Sequence, residues 1–83
     1  MTRSQALRLA AKHQRPIVVP SDWGRFDYAL PGGITAHADT KEEALADLAA
    51  RGFTGYFLVR PEYLAPCVLP SPEAHHQHRR RAA

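Results

Sequence analysis

A chain of 83 residues, 45% hydrophobic with 11 lysines and arginines against 8 acids, holds one domain at most and buries a small core. No apolar run approaches the ~20 residues that cross a bilayer, and a deep substrate cleft needs walls that so short a chain does not have. The one cysteine, Cys67, has no internal disulfide partner, and MTRSQALRLAAKHQR lacks a signal peptide's continuous apolar core, so the expected setting is reduced and cytoplasmic.

The net charge of +3 is unevenly spread. Arg3, Arg8, Lys12 and Arg15 meet no acid in the first 15 residues. Between Pro16 and Pro66 seven acids outnumber Arg25, Lys41, Arg51 and Arg60, and Arg79, Arg80 and Arg81 then oppose Glu73 alone. Two basic ends therefore flank a mildly acidic middle, and the ends alone produce the basic isoelectric point.

Thr2 to Gln5 fits a capping box, which predicts a helix running to about Gln14 and stopped by Pro16. At ~100° per residue, Ala6, Leu7, Ala10, Ala11 and Gln14 share its apolar side. Arg8, Lys12 and Arg15 form a stripe on another side, and Leu9 fits neither. Pro16 to Pro20 reads as a short strand whose terminal prolines limit its ladder. Ser21-Asp22-Trp23-Gly24 is turn chemistry. In RFDYAL, Phe26, Tyr28 and Leu30 alternate with polar or small residues, the period of a strand with one buried face.

Leu30-Pro31-Gly32-Gly33 has the proline and glycine of a type II turn. A phosphate cradle would place its glycines directly before a helix. Here ITAHA, a strand with Ile34, Ala36 and Ala38 on one side, intervenes, so the glycines are expected to make a bend. Thr40-Lys41-Glu42-Glu43 is a second capping box, with its glutamates set to complement the helix dipole. In that second helix Ala44, Leu45, Leu48 and Ala49 form the apolar stripe, while Glu43, Asp47 and Arg51 face outward. Gly52 provides the stop. The run Phe53 to Val59 predicts a strand that is central or covered on both faces. Pro61 to Leu64 suggests one helical turn. Residues 67–83, with His75, His76 and His78 beside the arginine run, read as a flexible tail.

This order makes an α+β domain over residues 1–66, a single small sheet of three to four strands with an N-terminal helix and a second helix packed on one face. The segment LPGGITAHADTKEEALADL resembles the signature of HicB-like antitoxin domains. The residues that carry the resemblance are Leu30, Pro31, Gly32, Asp39, Thr40, Glu42, Glu43, Ala44 and Leu45. The strands before the helix and the one after it also agree with that family's fold. Family members generally begin with the strands, and many add a C-terminal DNA-binding domain; this chain begins with a helix, and nothing after Val59 resembles such a domain. The resemblance implies a non-enzymatic domain that covers a partner protein, a small ribonuclease toxin in the family's case.

No pattern of catalytic residues accompanies this reading. His37, with Asp27 or Asp39 near it, lacks a nucleophile partner, and Cys67 sits at the start of the tail, where an activating environment is not expected. The tail histidines do not make a closed zinc site, which takes four fixed ligands. We therefore expect no enzyme, no metal and no cofactor. The expected function is protein binding by an inhibitor or antitoxin-like module acting through its sheet edge, Trp23, Glu43 and Asp47. Its partner would be another protein, such as a nuclease or nucleoprotein complex, and a homodimer is compatible with this reading. A mobile-element origin fits the size equally well. The alternative is a nucleic-acid-binding accessory protein using Arg8, Lys12 and Arg15 of the first helix together with Arg79, Arg80 and Arg81.

Overall fold

The computed structural model describes residues 1–21 and 24–69. Helix α1 spans Arg3–His13, and the expected capping box opens it. The Gln5 backbone N–H donates to Thr2 Oγ1 at 3.1 Å, and the Thr2 N–H donates to Gln5 Oε1 at 2.9 Å. Gln14 ends the helix in the left-handed region at φ 54°, one residue before Arg15 and the buried Pro16. The buried stripe is narrower than the periodicity predicts, comprising Ala6 and Ala10 alone. Leu7 and Leu9 flank it half-buried, whereas Ala11 and Gln14 are exposed. Two alanines at the contact let the helix axis lie close to the sheet, so leucines on both flanks reach the same cluster.

The remaining elements are β1 Ile17–Pro20, β2 Phe26–Leu30, β3 Ile34–Ala38, α2 Lys41–Ala50, β4 Gly55–Val59 and β5 Leu64–Val68. They form one five-stranded mixed sheet in the order β3-β2-β1-β4-β5, one strand more than the upper expectation. The segment between the prolines is its central strand. It pairs antiparallel with β2 over Ile17 to Pro20, but parallel with β4 only through Ile17 and Val18. Pro16 contributes its carbonyl, which accepts the Phe57 N–H at 2.8 Å, and Pro20 lies where β4 has left the ladder. The missing N–H groups thus fall outside the doubly paired stretch, which is how prolines flank a central strand.

Strand β5 occupies Leu64–Val68, where a helical turn and then a tail were expected, and it pairs antiparallel with β4 from Val59↔Leu64 to Gly55↔Val68. Pro66 hides this strand from pattern reading, yet an edge strand has an outward side where a missing donor costs nothing. Leu69 follows, buried, its N–H donating to the Thr54 carbonyl at 2.9 Å. The ordered core therefore extends past the expected boundary at residue 66, and the rest of the expected tail lies outside the described residues.

The two helices pack on opposite faces of the sheet rather than on one. Consecutive strand residues point to opposite sides, and Ile17 belongs to the cluster under α1 while Val18 belongs to the cluster under α2. Ala29 sides with Ile17, whereas Tyr28 and Leu30 side with Val18. Helix α2 starts at Thr40, whose Oγ1 accepts the Glu43 N–H at 3.1 Å, the hydroxyl half of the expected box. It ends in a Schellman motif: Phe53 N–H donates to Leu48 O at 3.2 Å and Gly52 N–H to Ala49 O at 3.0 Å, with Gly52 at φ 94°. Leu48 is fully buried in the centre of the α2 cluster. Replacing Leu48 with alanine should cost about 2–5 kcal/mol. Urea unfolding followed by circular dichroism measures that loss, and a change below ~1 kcal/mol would mean that α2 does not anchor the core.

Candidate protein-binding surface

The glycine pair makes the expected bend between β2 and β3. Gly32 and Gly33 have φ of 99° and 83°, the region open to glycine, and a side chain built on either would meet nothing within 4 Å. The pair is there for backbone conformation, since no group approaches closely enough to require the absence of a side chain.

Of the residues singled out for protein binding, Trp23 lies outside the described residues. Glu43 is exposed on the first turn of α2. Asp47 does not simply face outward. One of its carboxylate oxygens accepts the Tyr28 hydroxyl, and the other accepts Arg51 Nε at 3.1 Å. Tyr28 is buried, and burial first, then the bond to Asp47, pushes its pKa up from 10.0 to about 12. The same bond is the largest influence on Asp47 and holds its carboxyl below the ordinary 3.8, with Arg51 adding to the effect against partial desolvation. Asp47 thereby ties α2 to β2.

Arg8, Lys12 and Arg15 are all exposed along and just beyond α1, and they lie on the sheet face opposite Glu43 and Asp47. The two sets of expected contacts therefore cannot meet one flat partner together. Arg79, Arg80 and Arg81, like the tail histidines, lie outside the described residues. Asp27 and His37 stand directly opposite each other on β2 and β3, both exposed. Among the described residues no three metal-ligating side chains come together, and no helix is long and apolar enough to cross a membrane.

The pattern of residues did not reveal the surface beside α1. That helix rests mainly on β1 and β2; Phe57 and Val59 of β4 pack against the border of its cluster, and the same face of β5 lies beyond it. Val68 is 87% exposed there and Pro66 is exposed, while Phe57, Val59 and Leu64 are half-buried. Arg15 places its guanidinium 5.8 Å from the centre of the Phe57 ring, and the His13 ring lies tilted at 5.0 Å from it. Towards the other end of α1, a groove of about 780 Å³ runs between Gln5, Arg8 and Leu9 on the helix and Val59 at the end of β4 with Arg60 and Pro61 of the turn that follows it. Phe57 reads as a core residue in sequence because its strand is nearly all apolar; which half of a sheet a helix covers is not a local property.

No protein-family model matches the chain, and no curated protein or solved structure gives a match to it.

The Tyr28–Asp47 bond has a definite pH signature. A raised tyrosine pKa gives stability that is whole below pH 10 and is lost as pH rises through about 12. The lowered Asp47 pKa gives stability that is present above 3.8 and is lost as pH falls through the depressed value. Tyr28→Phe should cost about 1 kcal/mol near pH 7 and flatten both limbs. Urea unfolding across pH 3 to 11 tests this, and parallel curves for variant and parent would show the bond to be idle.

Proposed function

We propose that the chain is a small non-enzymatic protein-binding module, an inhibitor or antitoxin-like protein that acts by occluding a partner. The observation that carries this reading is the margin of the α1 face at β5, where Val68 and Pro66 present apolar surface beside the half-buried Phe57. An apolar sheet face normally acquires a cover, and a contiguous exposed one marks an interaction site. The partner class expected from the sequence, a nuclease or a nucleoprotein complex, belongs to the proposal. Its antitoxin-like element rests on the resemblance of Leu30 to Leu48.

A second reading, nucleic-acid binding, is favoured by one observation of its own. The exposed cations Arg3, Arg8, Lys12 and Arg15 lie on or next to a helix without a single acid. The two readings separate in one experiment. Tagged full-length protein should recover a discrete protein from lysate both with and without nuclease treatment. Val68→Asp should reduce that recovery by about tenfold, a change typical of a buried interface anchor, and replacement of Arg79, Arg80 and Arg81 by alanine should not. Recovery that disappears on nuclease treatment would overturn protein binding in favour of nucleic acid.

A further inference from the structure

We infer that this open margin of the α1 face is a seat for an acidic amphipathic helix of the partner protein, running alongside α1. This rests on the protein-binding reading above and specifies the chemistry of the occupant. Strands lie ~4.8 Å apart and a helix with its side chains is roughly 10 Å across, so one helix covers about two strands. Helix α1 lies over β1 and β2 and its border reaches Phe57 and Val59 of β4, leaving space on one side over β3 and on the other over β5 and the outer half of β4.

The two uncovered margins differ in character. On this face β3 presents Thr35 and His37, polar side chains suited to water. On the same face β4 and β5 present Phe57, Val59, Leu64, Pro66 and Val68. Only the second margin fits an apolar occupant. Leu9 and Val59 line opposite walls of the groove, so an apolar stripe laid between them would bury both.

Charge then selects the flanks of the occupant. Arg8 and Arg60 both line the groove, Arg15 lies over Phe57, and Lys12 follows Arg8 by one helical turn. Glu62, in the turn between β4 and β5, lies two residues from Arg60. Rim cations of this kind steer an acidic partner and set its orientation. Pairing of a partner strand along the β5 edge is the less suitable mode, because Pro66 removes a backbone donor from the middle of that edge.

The test uses full-length protein, methyl-labelled for NMR, and a synthetic peptide of about 16 residues, roughly 24 Å of helix. The peptide carries leucines at i, i+3, i+4 and i+7 and glutamates along both flanks. Saturable shifts are expected at the methyls of Leu9, Val59, Leu64 and Val68. Arg8→Glu with Arg60→Glu should weaken binding by about tenfold or more, and Val68→Asp by a similar factor without moving the unfolding midpoint. A peptide with lysines in place of the glutamates should not saturate. The inference is overturned by absence of saturation, by equal binding of the lysine peptide, or by shifts confined to β3 or α2. Those results leave protein binding itself standing, since the nuclease-treated recovery judges it separately. Tighter binding of duplex RNA to the same methyls would overturn both.

Discussion

The structure depends on two neighbouring side chains in its central strand. Ile17 and Val18 point to opposite faces of the sheet, and each seeds a separate apolar cluster, one beneath each helix. A domain this small has little apolar surface to bury, and dividing it between two faces leaves each cluster thin. The arrangement holds because β1 is paired along both sides. Neither Ile17 nor Val18 retains more than a trace of exposure.

Two thin layers leave each helix needing its own fastening. Helix α1 achieves close contact through Ala6 and Ala10, which bring its backbone near Ile17 and Ala29. Helix α2 buries Ala44 and Leu48 and adds the polar link from Asp47 to Tyr28. That link crosses from helix to sheet at the border of the core. It satisfies the hydroxyl of a buried tyrosine that would otherwise lack this partner. Asp47 is accordingly a fastening of the fold first, which limits what it can offer a partner, whereas Glu43 one turn earlier stays free in solvent.

The same economy produces the surface on which the functional proposal stands. Among the described residues one helix lies on each face of the five-stranded sheet, and part of that sheet is left bare. At the β3 margin of the α1 face the bare residues are Thr35 and His37, which water solvates well. At the β5 margin they are Pro66 and Val68, beside a half-buried Phe57 that His13 and Arg15 partly screen. The incomplete cover is thus chemically uneven, and the unevenness singles out one side of the molecule for contact.

Local chemistry, legible in the sequence, determined both helix starts, the Gly32-Gly33 bend, the Gly52 stop and which residues of β2 and β3 share a face, although Ala29 is buried on the second face and Ile34 is exposed. Capping hydroxyls, positive-φ glycines and period-two patterns act within a few residues, so their signals survive without the rest of the fold. The extent of β1's role and the existence of β5 were not legible. In each, a proline resembles a breaker until the neighbouring strands show that its missing donor falls outside the ladder or on an edge. The tertiary structure alone decided that the helices sit on opposite faces, that Asp47 meets Tyr28 and that Phe57 and Val68 share an open margin. These are relations between residues distant in the chain. They depend on which strands lie side by side, and strand order is set by the packing of the whole sheet, which no single segment encodes.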